Sequence, residues 1–283
     1  MKKFTLSAAV AATVALFAGS ASAESHAAPM LVVDGVELNT SAPAPDYLDI
    51  DEVISGWVFR TPETQALQLD DFDNPGMIFV DQALDDWSAV DGAAGKACAS
   101  CHEDGPEEFA GLRAELPRWN EEQSTLFNME DYINFCRTER MQADPLKWAK
   151  PRMDAMVALL SLQSRGMPIN VAVDGPVADI WEAGRELYYT RVGQLDMACS
   201  NCHEDNYGNM IRADHLSQGQ VNGFPAYRLK NAKLNSTHNR FKGCMENIRA
   251  QPFAVGGEEF RALELYVASR GNGLASEGPS VRN

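Results

Sequence analysis

The chain has 283 residues, of which 45% are hydrophobic, and at roughly 100 to 200 residues per domain this length predicts two compact domains. Its 40 acidic residues outnumber its 24 lysines and arginines, so the formal net charge is -16. A surface of this sign repels phosphate backbones and anionic headgroups, which argues against nucleic acid and membranes as partners. Cationic proteins remain compatible with it.

Residues 1–23 have the three parts of a secretory signal. Two lysines follow the first Met, an uncharged apolar run extends from Phe4 to Phe17, and Ala21-Ser-Ala23 forms the cleavage sequence. The run is shorter than the roughly 20 residues that span a bilayer. We therefore expect cleavage after Ala23 and a soluble mature protein in the periplasm. Cleavage removes two lysines, which changes the formal charge from -16 to -18.

The residues after the signal have a composition of their own. Residues 24–46 are rich in Ala, Pro and Ser, and short apolar runs broken by turn residues follow. This pattern is typical of a loosely ordered lead-in followed by an extension of the neighbouring domain. We predict that residues 24–80 form an N-terminal lead-in and extension, with the part from residue 47 packed on the first domain.

Two C-x-x-C-H pentapeptides, Cys98–His102 and Cys199–His203, contain four of the six cysteines. Six cysteines in an exported chain would otherwise suggest three disulfides. This pentapeptide, however, is the attachment sequence of c-type haem, whose vinyl groups bond to the thiols while the His binds the iron. We predict two covalently bound haem c groups. They are attached through Cys98, Cys101, Cys199 and Cys202, with iron bound by His102 and His203.

The chain repeats itself after residue 80. The two motifs begin 101 residues apart, the remaining cysteines, Cys136 and Cys244, lie 108 apart, and two Ser-Arg-Gly strings lie 105 apart. Apolar residues at helical spacing precede each string. Such regular spacing indicates tandem copies of one fold. We predict a mainly α protein with two tandem cytochrome c-like haem domains, residues 81–173 and 174–283.

Cys136 and Cys244 hold equivalent positions, 34 residues after His102 and 41 residues after His203. Three interpretations are open: a disulfide between them, two buried free thiols, or a thiolate bound to each iron. Thiolate binding best explains why a cysteine repeats with each haem motif. A thiolate favours ferric iron and therefore predicts low reduction potentials. The histidines outside the motifs are His26, His215 and His238.

Two further segments carry a family resemblance. Asp70-Asp-Phe-Asp-Asn-Pro-Gly-Met77 precedes the first motif, and Asn239-Arg-Phe-Lys-Gly-Cys244-Met245 surrounds the second lone cysteine. Together with the two haem motifs they resemble the SoxA family, the dihaem subunits of the SoxAX cytochromes of thiosulfate-oxidising bacteria. The resemblance covers nearly all of the mature chain. Some members lack the first haem motif, whereas this chain keeps it.

The resemblance implies an L-cysteine S-thiosulfotransferase. In this reaction thiosulfate is joined oxidatively to a cysteine of the carrier protein SoxYZ, and two electrons leave through haem to a small c-type cytochrome. The monohaem cytochrome SoxX is the implied heterodimer partner. Cys244 is implied as both distal iron ligand and sulfur-accepting residue, found as a persulfide, Arg240 as a residue of the same pocket, and Cys136 as the other distal ligand.

Two alternatives remain: a dihaem cytochrome that only transfers electrons, and a dihaem peroxidase. Either would leave Cys244 without a chemical role. A peroxidase would also need an open haem face, which a bound thiolate closes.

Charge distinguishes the two haem sites without reference to any family. Residues 103–135 contain nine acidic and two basic residues, whereas residues 215–245 contain five lysines and arginines and no acidic residue. An acidic protein admits a dianion such as thiosulfate only where the local field is reversed. If the segment before Cys244 is helical, Arg240 lies on the same face as the sulfur. We therefore predict that Cys244 and Arg240 form the catalytic site, with the first haem structural or a relay.

Overall fold

The computed structural model describes residues 29–283. The predicted signal peptide, its cleavage site after Ala23 and His26 lie outside these residues. None of the helices in the described part is long and apolar enough to span a bilayer. The α-helices found there are α1 (Pro62–Ala66), α2 (Met77–Ser88), α3 (Met129–Phe135), α4 (Pro151–Leu162), α5 (Ala178–Tyr189), α6 (Cys199–His203), α7 (Thr237–Asn247) and α8 (Glu258–Ser269).

The strands are two or three residues long and form small pairs. They are β1 (Leu31–Val33), β2 (Val36–Leu38), β3 (Ser41–Pro43), β4 (Glu52–Ile54), β5 (Arg118–Asn120), β6 (Thr125–Phe127), β7 (Met210–Ile211), β8 (Asp214–His215), β9 (Ala226–Arg228), β10 (Lys233–Asn235) and β11 (Ser280–Arg282). Four antiparallel pairs are formed by β1 with β2, β3 with β4, β5 with β6, and β7 with β8. β9 lies between antiparallel β10 and parallel β11, with Ala226 opposite Ser280. Helices are therefore the longer elements, as the sequence predicts.

The tandem repeat inferred from the sequence is visible in the structure. α2 packs on α4 in the first copy, and α5 packs on α8 in the second. A turn ahead of each haem motif is closed by a backbone bridge, 91 with 96 and 192 with 197. Gly92 and Gly193 begin these turns with φ of +75° and +73°. A Cβ there would lie 2.3 Å and 2.4 Å from a packed backbone carbonyl, so both turns require glycine.

Each copy has its own hydrophobic core, centred on its last long helix. Met153 and Leu159 of α4 are fully buried and pack with Trp87 of α2. Phe260 and Tyr266 of α8 are fully buried in a second core. α2 and α5 each turn one buried face to their partner helix, whereas α4 and α8 are buried on nearly all sides, as expected of central helices.

The segment before α2 packs mainly on the C-terminal part of the chain, and the expectation that it packs on the first haem domain is wrong. The Tyr47 hydroxyl donates to the carbonyl of Ser269 at 2.8 Å. The backbone N–H of Ile54 donates to Oε1 of Gln218, also at 2.8 Å. α2 itself begins at Met77, ahead of residue 81 where the first haem domain was predicted to start, and it packs on α4.

The physical reason for this packing is a buried carboxylate near the C-terminus. Glu277 is 1% exposed, and a buried charge without partners would be strongly destabilising. Its oxygens accept hydrogen bonds from Ser55 and Gln68 of the N-terminal segment and from Arg282 of β11. The two ends of the chain therefore supply partners for one charge, a constraint that no local pattern shows.

The two haem regions share a polar interface. Arg113, which is buried, donates to the carbonyl of Val221 at 3.1 Å and to that of Phe224 at 3.3 Å. Arg261 of α8 donates to Asp131 of α3 at 2.6 Å. These charge-assisted contacts hold the loop that follows the second haem motif against the first haem region.

Candidate functional site

Both haem motifs begin with the same helical turn. Cys98–Ser100 form a 3₁₀ turn and α6 forms a single α-helical turn. The backbone N–H of Ala97 donates to Ser100 Oγ, and that of Ala198 donates to Asn201 Oδ1, each at 2.9 Å. The turn brings the cysteines three residues apart to one side. Their thiols stand in for the thioether sulfurs that a covalently attached haem would have.

Cys136 lies beside the first motif. It ends α3 and opens a wide helical turn, Cys136–Arg140. Its thiol is close enough to Cys98 and Cys101 to interact electrostatically with both, and burial raises the pKa of Cys136. The six cysteines, all within the described residues, are free. A disulfide between Cys136 and Cys244 is therefore not formed, and each lone cysteine accompanies its own motif.

Cys244 lies beside the second motif in a different electrostatic environment. Burial alone would raise the pKa of its thiol, but the Arg240 guanidinium, the nearby His203 ring and the charge of Arg228 together lower the pKa of Cys244 to about 7. The pKa of Cys136 is instead raised, because burial outweighs Arg140. The second site therefore favours a thiolate, whereas the first does not without help from a metal.

The helix predicted before Cys244 is confirmed as α7. Its first turn is capped by Ser236, whose Oγ accepts from the backbone N–H of Asn239 at 3.3 Å. Arg240 and Cys244 are four residues apart within this helix, so both side chains lie on one face. The interaction of Arg240 with the sulfur, predicted from spacing alone, is present in the folded chain.

Arg240 belongs to a larger group of arginines, the cationic cluster, made of Arg60, Arg228, Arg240 and Arg282. Burial lowers the pKa of Arg60, as does its proximity to Arg282 and Arg240, while Asp214 opposes the effect through an ion pair. Burial and Arg240 lower the pKa of Arg228. Arginine keeps its charge despite such shifts. Arg240 and Arg228 act on the Cys244 sulfur, whereas Arg60 and Arg282 are paired with Asp214 and Glu277.

Sequence reasoning identified Arg240 and, as one of the five basic residues of the acid-free stretch, Arg228. It missed Arg60 and Arg282. Arg60 and Arg282 lie near opposite ends of the described chain, and they reach the site only because the N-terminal segment packs on β11 and the loop around β8. No local sequence pattern marks them.

The two motif histidines are oriented as metal ligands. His203 Nδ1 lies 2.7 Å from the carbonyl oxygen of Ser217, and His102 Nδ1 lies 3.2 Å from Glu108 Oε2. Since both partners accept hydrogen bonds, Nδ1 carries the proton in each ring and Nε2 keeps its lone pair for a metal. A Cβ on Gly219 would lie 2.8 Å from the His203 ring, so the loop backbone supports that ring directly. The donor set thus fits haem iron.

The other described histidines are not arranged as ligands. The carbonyl of His215 accepts from Arg60 Nη2 at 2.7 Å. His238 is 1% exposed; its Nδ1 accepts from the backbone N–H of Gly256 at 3.0 Å, and its Nε2 lies 3.1 Å from Glu264 Oε2, away from a good hydrogen-bond line. Both nitrogens of His238 therefore face protein groups.

Comparison with known proteins agrees with this geometry. The family described as SoxA/TsdA, cytochrome c domain, matches residues 82–169 and 183–275. The matched segments contain one C-x-x-C-H motif each. A cytochrome c domain carries covalently bound haem c.

Curated relatives are similar over most of their length. The chain is 54% identical to the L-cysteine S-thiosulfotransferase subunit SoxA of Rhodovulum sulfidophilum over 269 residues, 94% of each chain. It is 56% identical to the subunit of the same name from Paracoccus pantotrophus, over 88% of this chain and 86% of that one. The crystal structure of SoxXA from P. pantotrophus superposes with a TM-score of 0.87 and 54% identity, covering 90% of this chain and 97% of that one. The chain therefore belongs to the SoxA family of L-cysteine S-thiosulfotransferase subunits.

Proposed function

We propose that this chain is the catalytic dihaem subunit of a periplasmic L-cysteine S-thiosulfotransferase. The observation that carries the proposal is the environment of Cys244, whose pKa is lowered to about 7 despite burial, by Arg240, His203 and Arg228. A thiol held as an anion beside a motif histidine, in an otherwise acidic protein, suits sulfur chemistry on a small oxyanion.

The chain's residues would hold two haems in equivalent ways. Bound haem supplies one-electron redox chemistry, and the two tandem domains would provide two such centres. The first would be attached through Cys98 and Cys101 and bound by His102 and Cys136. The second would be attached through Cys199 and Cys202 and bound by His203 and Cys244.

The substrate would be thiosulfate, a dianion. Arg240 and Arg228 lie beside the Cys244 sulfur, where their guanidinium donors can bind sulfonate-type oxygens. These arginines would orient the terminal sulfur of thiosulfate towards Cys244, which acts as the sulfur-accepting residue. The acidic remainder of the surface would limit entry of anions to this site.

The overall reaction would couple thiosulfate to a cysteine of SoxYZ. One sulfur–sulfur bond forms between the carrier cysteine and the terminal sulfur of thiosulfate, and the thiol S–H bond breaks. The thiol proton is released, and two electrons pass to a small c-type cytochrome. SoxX would be the heterodimer partner, a proposal supported by the similarity to the crystallised SoxXA complex.

A matched pair of variants tests the assignment of the catalytic site. Cys136→Met and Cys244→Met each replace a thiol by a thioether that can still bind iron. In the complex with SoxX, we expect Cys244→Met to abolish the mass increase of the SoxYZ cysteine that thiosulfate produces, while Cys136→Met retains much of it. The mass of each intact variant gives its haem content.

Two results would contradict the proposal. If the Cys244→Met protein still modifies SoxYZ at the wild-type rate, sulfur chemistry at Cys244 is excluded. If the wild-type complex transfers electrons but never modifies the carrier, the chain is an electron-transfer cytochrome instead.

A further inference from the structure

The two motif histidines have different partners, although their motifs are otherwise equivalent. His203 Nδ1 lies 2.7 Å from a neutral acceptor, the carbonyl oxygen of Ser217. His102 Nδ1 lies 3.2 Å from a charged acceptor, Oε2 of Glu108. In both copies Nδ1 of the motif histidine therefore faces an acceptor, but the acceptor is a neutral carbonyl in one copy and a charged carboxylate in the other.

Glu108 is held in place. Its second oxygen, Oε1, accepts from the backbone N–H of Asp104 at 3.0 Å. The Glu108 side chain is 33% exposed and the His102 side chain 26% exposed, and the contacts of the two carboxylate oxygens orient Glu108. The imidazole is also enclosed by Phe109 and Trp87, with ring centroids 4.9 Å and 5.6 Å away.

A carboxylate attracts the Nδ1 proton more strongly than a carbonyl does, because it carries a full negative charge. The imidazole then donates more electron density through Nε2, and a more basic ligand stabilises the ferric over the ferrous state. At His203 the neutral carbonyl has a weaker effect. The difference acts on one iron only, because each acceptor contacts one ring.

We propose that Glu108 is a positioning residue that lowers the reduction potential of the first haem relative to that of the second, so that the two haems differ in potential. This inference rests on the proposed function, since it requires haem bound at His102. Neither the haem motif nor the thiolate ligand accounts for a carboxylate beside His102. A haem with this partner stays ferric while the second centre exchanges electrons.

Glu108→Gln and its neighbour Glu107→Gln provide a matched test. Each variant removes one negative charge, and glutamine keeps the length of the side chain and an acceptor oxygen. Glu107 is exposed, and within the described part of the chain it makes no hydrogen bond to His102. Both variants would be prepared as the haem-loaded complex with SoxX. Redox titration followed by electron paramagnetic resonance would measure each haem separately.

We expect Glu108→Gln to favour reduction of the first haem by about tenfold, or about 59 mV for one electron. Its resonance signals should also shift, while the second haem and both haems of Glu107→Gln stay as in the wild type. An unchanged first haem in Glu108→Gln, or an equal change in Glu107→Gln, would overturn the inference. A wild-type mass with only one haem would instead refute the proposed dihaem assignment itself, and the inference with it.

Discussion

Replacing Arg240 by Gln removes the charge that acts most strongly against burial at the Cys244 sulfur. The ordinary pKa of a cysteine is near 9.0, and the folded chain lowers the pKa of Cys244 to about 7, with Arg240 the largest favourable contribution. At about 1.36 kcal/mol for each tenfold change, this difference is worth about 2.7 kcal/mol. Without Arg240, only Arg228 and the nearby His203 oppose burial, so the pKa should rise towards 9.0.

The consequence for activity follows from the thiolate fraction. With a pKa of about 7, about half of the sulfur is anionic at pH 7, whereas a pKa of 9.0 leaves about 1%. We expect thiosulfate-dependent turnover of Arg240→Gln to fall at pH 7 by up to about 50-fold, the limit reached if the pKa returns fully to 9.0. The rate should recover as the pH rises, because deprotonation then no longer needs the guanidinium.

The assay would follow reduction of a small c-type cytochrome by the complex with SoxX, in the presence of thiosulfate and SoxYZ. Lys242→Gln is the matched control. Lys242 is on the same helix and pairs with Glu246, and a position two residues from Cys244 lies on the opposite side of α7. This variant should keep nearly the wild-type rate. Equal losses in both variants, or a normal rate in Arg240→Gln, would refute the electrostatic argument.

Two further predictions concern the fold around the haem sites. Gly219→Ala should disturb the haem 2 absorption spectrum, because its Cβ would lie 2.8 Å from the His203 ring; Gly208→Ala has nearly the same φ but open space around it, and it should leave the spectrum unchanged. Burial raises the pKa of Asp154 to about 7 from an ordinary value of 3.8, so the folded state holds its proton more tightly and stability should fall from about pH 4 to pH 7. Asp154→Asn should remove this pH dependence and raise the free energy of unfolding at pH 8 by up to about 4 kcal/mol. Asp85→Asn, at an exposed position, should do neither. Chemical denaturation at several pH values would measure both variants, and a pH dependence that persists in Asp154→Asn would disprove the linkage.

Local sequence determined the parts of this protein that depend on short spacing. The C-x-x-C-H motifs need only one helical turn to bring two thiols and an imidazole together. The tandem repeat follows from equal intervals between like residues, and Arg240 lies beside Cys244 because both occur four residues apart in one helix. These features require no knowledge of distant contacts, so they could be predicted before the fold.

Charge in the sequence also predicts which centre is chemically active, but it does not show how the site is built. The acid-free stretch predicted a positive field at the second motif. The lowered pKa of Cys244 requires Arg240, Arg228 and the nearby His203 to act together against burial. Burial and local charge oppose each other there, and only the three-dimensional arrangement decides which prevails.

The tertiary structure alone decided the contributions from distant parts of the chain. Arg60 and Arg282 join the cationic cluster because the N-terminal segment packs on the C-terminal strand, where buried Glu277 needs polar partners. The partner of His102 is Glu108, one of several acidic residues in its segment that the sequence does not rank. Electrostatic interactions act through space, so the residues that tune a site need not be near it along the chain.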